Sequence, residues 1–498
     1  MHRRADFDLE AGLPANTEIL QADLELTTVL DVMAAGDGFL WEIAQRALLL
    51  PLTEPEAIVF RQRVLSDCIR NPELIRKLYD LAVEGVNAPR AARVFWFRES
   101  PDQLLAKSLR ILAALIDIIQ RLRTLTDEST QAVSSEGLTR LFATLHEQLD
   151  DDYLATLRKH LKQLDLQGGT LISAQLGRAN RSTSFVLRKP NERSFFERID
   201  PRNRNGYSFS IPPRDEAGME SLVNLRNHGV RLVANALAQS TDHMLNFFAM
   251  LRAELGFFVG CLNLHEQLKA KSVSICFPTP ERPDARSYTA RGLRDISLLF
   301  HLQGEVVGND IDGDDRQLFV ITGANQGGKS TLLRSVGLAQ LMMQAGMYVT
   351  AESFGASVRS SVFTHFKREE DESMRSGKLD EELARMSDIA DRIKPNALLL
   401  CNESFAATNE REGSEIARQV IRAMVETDVT VFFVTHLFDL ANGLFQEHNG
   451  SFLFLRAERQ VDGQRPFRVS AGEPLPTSYG EDSYRRIFKP GPVETAAR

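Results

Sequence analysis

The stretch Gly323-Ala324-Asn325-Gln326-Gly327-Gly328-Lys329-Ser330-Thr331 decides how this chain is read. It follows the apolar run LFVIT at 318–322, and the helix-forming sequence LLRSVGLAQLMMQ at 332–344 comes directly after it. Strand, glycine-rich loop and helix in that order are the context a P-loop needs. Gly323, Gly327 and Gly328 let the backbone curl. The N–H groups of the loop, Ala324, Asn325 and Gln326 included, then face phosphate oxygens together with the N-terminus of the following helix. Lys329 is expected to reach the β- and γ-phosphates and Ser330 to bind the metal, with Thr331 completing the motif.

Working outward, two later strands extend the reading. NALLL at 396–400 is followed by Cys401, Asn402 and Glu403, at the end of a buried strand where a Walker B acid pair is expected. Asn402 stands where a metal-supporting Asp belongs, while Glu403 remains to polarise an attacking water. An amide cannot give the Mg²⁺ shell the negative charge of an Asp, so the metal pair Ser330 and Asn402 implies weak metal binding or slow hydrolysis. TVFFVTHLFDL at 430–440 ends its strand at His436, a donor suited to the γ-phosphate side. Either residue alone reads as an ordinary strand-end polar group. Their order behind the P-loop makes Glu403 and His436 the catalytic candidates.

Upstream the pattern is helical. Leu104, Leu105, Leu109, Leu112, Leu115, Ile116, Ile119 and Leu122 recur at three- and four-residue intervals. The period returns at Leu138–Leu149 and from Met219 to Leu255, the last run long enough for one very long helix. Between them, 166–215 contains SFVLR and YSFSI, expected as strands of a hairpin-like insert. After the turn-forming PTPERP at 278–283, short β-rich runs alternate with helices, which implies a mainly parallel sheet with helices on both faces. The expected division is a tail at 1–20, a helical domain at 21–277 carrying the insert, an α/β P-loop domain at 278–490 and a tail at 491–498.

Composition sets the bounds. With 498 residues, 43% hydrophobic and 25% charged, the chain has the make-up of a globular protein of several domains. No uninterrupted apolar run approaches the roughly 18 residues of a membrane span. The opening MHRRADFDLEAGL lacks the apolar region of a secretory signal, so a cytoplasmic location is expected. Cys68, Cys261, Cys276 and Cys401 are scattered and read as buried thiols. A net charge of −8 argues against a surface that coats nucleic acid throughout but leaves room for a local basic patch.

From about 290 to 485 the chain resembles the MutS family of DNA-repair ATPases. GANQGGKST resembles that family's TGPNMGGKST, and GMYVTAESFGASV at 346–358 is close to the strand that follows it there. NESFAATNEREG at 402–413 aligns without gaps on DEIGRGTSTYDG, THLFDL at 435–440 resembles THYFEL, and SYG at 478–480 matches a further signature. FLWEIAQRALL, FRQRVLSDCIRNPEL and FFVGCLNLHEQLKAK resemble the family's core and lever helices more weakly. The resemblance implies an ABC-type ATPase domain using ATP and Mg²⁺, preceded by a helical core and lever domain. It also implies a dimer, here a homodimer, in which Thr408, Asn409 and Glu410 of one copy help to close the ATP site of the other. Asn409 and Glu410 depart from the family's Ser-Thr pair, and polar residues at this position also serve as helix caps. A mismatch-reading domain is not expected before residue 20, the insert is short for a DNA clamp, and no C-terminal helix–turn–helix or nuclease domain is expected.

Between 178 and 214 nine basic residues stand against three acidic ones in an otherwise acidic chain. Arg188, Lys189, Arg193, Arg202 and Arg204, interleaved with Phe195, Phe196 and Tyr207, suit contact with a DNA backbone, and a solvated basic loop is the plain alternative. Two functions stay open. One is an ATP-driven DNA-binding protein acting on DNA structures other than simple mismatches, with nucleotide-driven lever motion. The other is an ATP-gated, weakly hydrolysing scaffold that recruits a protein partner. A transporter's ATPase subunit fits less well, because a large helical domain precedes the P-loop.

Overall fold

The computed structural model describes residues 7–91, 100–166, 169–178, 182–189, 210–368, 377–460 and 463–476. Two compact units emerge. One gathers Met1–Pro72, Ser135–Gly137 and Gly256–Arg498, the other Glu73–Ser134 and Leu138–Leu255. Helices before residue 72 therefore group with the sheets rather than with the remaining helical half.

The first unit is built on a six-stranded sheet in the order Val469–Ala471, Phe452–Ala457, Leu318–Gly323, Thr430–Val434, Leu398–Asn402, Val362–Phe366. Five strands are parallel and only Val469–Ala471 runs antiparallel, at an edge. Alternate side chains on these strands go to opposite faces. Leu318, Val320, Leu399, Cys401, Val431 and Phe433 share a core with helices Lys378–Arg392, Glu410–Glu426 and Phe438–Gln446. On the other face Phe319 stacks on Phe432 at 3.9 Å between ring centroids, with Tyr288 edge-on to both. That face is also covered by the helix Lys329–Gln344, where a Cβ on Gly337 would come within 2.7 Å of Leu400 and 2.8 Å of Leu24. A glycine there lets the helix lie close to the sheet on one side and to the N-terminal helices Thr17–Asp23 and Leu26–Ala34 on the other. Any larger side chain overpacks the contact.

A second, four-stranded sheet, unforeseen in the sequence, runs Thr279–Glu281, Ser353–Ser357, Tyr288–Leu293, Asn309–Asp312. Its pairings are antiparallel except for Thr279–Glu281 beside Ser353–Ser357. The PTPERP segment expected as a turn thus contains an edge strand, the place in a sheet where proline is tolerated because it has no N–H to donate.

The second unit is helical. Ser100 and Gln103 form a reciprocal cap at the start of Pro101–Ser129, and the Asp150 side chain accepts the Tyr153 N–H at the start of Asp151–Leu164. Leu105, Val230 and Ala234 centre a small core joined by Leu109, Val233, Leu237 and Leu187. The helix Glu216–Ala270 is single and 55 residues long, as the apolar period suggested. By length and composition it is apolar enough to cross a membrane, although 61% of its most apolar window is buried inside the protein. The expected insert holds a hairpin: Ser182–Arg188, which contains SFVLR, pairs antiparallel with Leu171–Leu176. YSFSI, also expected as a strand, lies mostly outside the described residues.

Candidate nucleotide site

Parallel strands end together, and the site lies where they end. Register pairs Val434 with both Ile321 and Asn402, and Ala457 with Gly323, so the loops after four parallel strands open at the same end of the sheet. Binding sites of open α/β sheets form at such carboxyl ends. The cavity there measures about 610 Å³.

Asn325, Gln326, Gly327, Gly328, Lys329, Ser330 and Thr331 line it, and Gly323 and Ala324 do not. The loop needs its glycines. Gly328 has φ +91° and Gly323 has φ +107°, and a Cβ on Gly323 would come within 2.8 Å of the Ala457 backbone. Gln326 takes the left-handed conformation without being glycine. Lys329 is 5% exposed, and its Nζ donates to the carbonyls of Gly323 at 3.0 Å and Ala324 at 3.1 Å. Burial pushes the lysine's pKa down, and the Glu403 carboxylate pushes it back up. The ammonium thus sits on its own loop beside a cavity that has no arginine and no second lysine among its lining residues.

The expected Walker B pair meets the P-loop directly. The Ser330 hydroxyl donates to Asn402 Oδ1 at 3.0 Å. Glu403 has φ +55°, a strained backbone for a residue with a Cβ, held by its N–H donating to Val434 O at 2.9 Å. Strain of this kind gathers at functional positions. His436 Nδ1 lies 3.7 Å from Glu403 Oε1. The imidazole holds the Glu403 carboxyl below the usual carboxylate range, Lys367 and Lys329 assisting against the opposing cost of burial. Glu403 is therefore an anion at neutral pH, aimed with His436 at the cavity that both line.

Thr408, Asn409 and Glu410 do not line the cavity. Asn409 caps its own helix by accepting the Glu412 N–H at 3.0 Å, Thr408 donates to Glu412 at 2.8 Å, and Glu410 accepts the N–H groups of Phe438 and Asp439 at the start of the next helix. These are the capping roles that polar residues at a strand-to-helix connection commonly take.

The fold adds residues that no motif announced. Leu298, Leu302, Val306 and Phe467 give the cavity an apolar side, and Asn309 ties it together by donating to Phe467 O at 3.3 Å and accepting the Val469 N–H at 2.7 Å. Leu298, Leu302, Val306 and Asn309 belong to one helix-to-strand segment and Phe467 to a distant loop, so only tertiary structure brings the two together. An apolar wall beside a phosphate cradle suits a nucleotide's base.

In the other unit Arg188 and Lys189 border a cavity of about 640 Å³ lined mainly by leucines, and Arg188 Nε donates to Ser173 Oγ at 2.9 Å. Arg193, Arg202 and Arg204 lie outside the described residues, as do Phe195, Phe196, Tyr207 and the SYG at 478–480.

Comparison with known proteins agrees with this geometry. Residues 53–271 match the family described as MutS2 N-terminal domain, and residues 319–495 match MutS domain V. The chain is 29% identical over 249 residues to the DNA mismatch repair protein MSH3 of Candida glabrata, a match covering 48% of this chain and 24% of that one. It is 23% identical over 300 residues to MutS protein homolog 4 of Homo sapiens, covering 59% and 31%, and 32% identical over 136 residues to Endonuclease MutS2 of Bacillus velezensis, covering 27% and 17%. In each case the match spans less than a third of the relative's own length.

Proposed function

The chain belongs to the MutS family, and from that premise we propose that it is an ATP-hydrolysing, DNA-binding protein that acts on DNA structures other than simple mismatches. The observation that carries the reading is the convergence of Lys329, the Ser330–Asn402 pair and the Glu403–His436 pair on one cavity with an apolar wall. Those residues fit a nucleoside triphosphate: glycines hold the loop open, a lysine sits at its base and a carboxylate faces it. They fit Mg²⁺ less fully, because Ser330 offers an oxygen while Asn402 contributes no charge.

Bound ATP supplies the phosphoanhydride and Mg²⁺ the charge that offsets its phosphates. The protein's own groups do the rest. Lys329 exchanges two backbone carbonyls for phosphate oxygens, Glu403 holds and polarises a water, and His436 keeps Glu403 ionised and oriented. In a pair of copies joined through their ATPase domains, the segment Thr408–Glu410 of one would complete the site of the other. Its side chains would then give up the caps described above. Nucleotide state would move the long helix as a lever, and the basic hairpin with Arg188 and Lys189 would meet the DNA backbone.

A second reading, a scaffold that holds ATP and recruits a protein, is favoured by Asn402 and by the net charge of −8. ATP hydrolysis by the full chain, measured without DNA and with single-stranded, duplex and branched DNA, separates the two, with Lys329→Ala as the control. Turnover raised by branched DNA supports the first reading. Hydrolysis that ignores every DNA leaves the scaffold.

A further inference from the structure

The loop between Phe452–Ala457 and Val469–Ala471 returns across the P-loop. Phe467, which lines the cavity, has its carbonyl 3.5 Å from where a Cβ on Gly328 would sit. Two residues earlier, Arg465 Nε donates to the carbonyl of Asn325, inside the P-loop, at 2.9 Å, and Arg465 Nη1 donates to Gly463 O at 2.9 Å. A guanidinium therefore rests on the outer turn of the phosphate cradle while Lys329 sits at its base, and its charge is near enough to act on Lys329.

Beside the P-loop, Asn402 stands where the resemblance implies an Asp, while Glu305 and Glu403 also line the cavity. Asn402 turns its Oδ1 to the Ser330 hydroxyl at 3.0 Å. Where an Asp would offer a second acceptor oxygen, the amide carries an NH₂ group, a donor that suits a phosphate oxygen and not the shell of a cation. Both features shift the same balance. Arg465 places fixed positive charge at the loop, and Asn402, bonded to Ser330, is neutral.

We propose that Arg465 contacts the phosphates of a nucleotide bound at this P-loop, and that Arg465 and Lys329 together hold the nucleotide without a divalent metal. The inference rests on the nucleotide reading above and adds to it which groups neutralise the phosphates. An arginine suits the task because it is always charged, and its planar fork would bond two phosphate oxygens by exchanging the Asn325 or Gly463 carbonyl for one of them.

The test is equilibrium binding of a fluorescent, slowly hydrolysed ATP analogue to the full chain, in excess Mg²⁺ and in excess EDTA. Wild type is expected to lose less than about tenfold in affinity when the metal is removed. Arg465→Ala and Arg465→Gln should each lose about 10- to 100-fold in EDTA, the worth of a charge-assisted contact, and much less in Mg²⁺. Arg465→Lys should recover part of the loss. Asn402→Asp should reverse the pattern, because an unscreened carboxylate repels the phosphates once the metal is gone. Thermal unfolding of each variant checks that it is folded. The proposal is overturned if wild type binds tightly in Mg²⁺ and not in EDTA, or if both uncharged Arg465 variants bind in EDTA as wild type does. Failure of wild type to bind in either condition overturns the nucleotide reading itself.

Discussion

The sheet-based unit and the helical unit carry their charged residues in opposite ways. In the first, Lys329 opens a helix behind the P-loop, Glu403 follows the buried strand that ends at the neutral Asn402, and each of the three is held by a hydrogen bond to a neighbouring segment. In the second, Arg188 lies on a two-stranded hairpin whose residues are mostly exposed, and a hydrogen bond to Ser173 ties it to the partner strand. Positions of the first kind are over-determined by packing, so small changes there carry large penalties. Positions of the second kind act through charge and reach, and tolerate change.

The largest expected effect falls on Glu403. Glu403→Gln keeps the size and removes the carboxylate, so turnover should drop by about 10²- to 10⁴-fold while nucleotide stays bound. Phosphate release and nucleotide retention measure the two separately. Because His436 lowers the Glu403 pKa, the wild-type rate should hold as pH falls through the ordinary carboxylate range. A Glu403→Gln protein that turns over at the wild-type rate would remove this residue from the chemistry and much of the contrast between the units.

His365 sharpens the comparison with a smaller effect. It is fully buried in the sheet-based unit, bonded through Nδ1 to Ser404 at 2.7 Å and through Nε2 to Glu382 O at 3.0 Å, and stacked on Phe405. Burial, aided by the charges of Arg385 and Arg368, pushes its pKa down from 6.5 to about 4. The neutral ring donates from Nε2 to the Glu382 carbonyl, while Ser404 Oγ, 2.7 Å from Nδ1, also donates to the His365 carbonyl at 2.8 Å. Above pH 6.5 the ring is neutral folded or unfolded, and the contribution is complete. As pH falls from about 6.5 to about 4, the unfolded chain takes up the proton first, and about 3 kcal/mol is lost. His365→Gln should be less stable at pH 7.5 but show a flatter stability profile through that window in denaturant titrations. Equal losses in both proteins would mean that the ring is not held neutral.

The same contrast explains what the sequence made legible. LFVIT, NALLL and TVFFV are near-continuous apolar runs because central parallel strands are buried on both faces, and the P-loop, Glu403 and His436 follow from where those runs stop. The four-stranded sheet was hidden because its strands are three to six residues long and partly exposed. In Tyr288–Leu293 a glycine and an arginine interrupt the pattern, and in Thr279–Glu281 a proline reads as a turn. One strand of the hairpin, SFVLR, was legible, but its partner LISAQL was not, because that strand meets solvent along most of its length and carries no clear buried pattern. Phe467 and Arg465 had no motif to mark them, because a loop crossing the P-loop is set by the sheet order and not by local spacing.

The smallest expected effect on folding belongs to the hairpin, and it tests the other half of the comparison. Arg188→Ala with Lys189→Ala should change stability by no more than about 0.5 kcal/mol, since both side chains are exposed. If they neutralise phosphates, each lost contact should reduce the slope of log K against log salt by about 0.9 on duplex DNA, with no change in sequence preference. Binding of wild type and variant to duplex and branched DNA across a salt series, with nucleotide binding as the control, gives both quantities. A shallower slope with intact nucleotide binding separates a solvated DNA contact from the packed site. An unchanged slope makes Arg188 and Lys189 solvated charges only. If wild type has no DNA affinity even at low salt, the sheet-based unit alone carries the function, and the scaffold reading becomes the better account of Asn402.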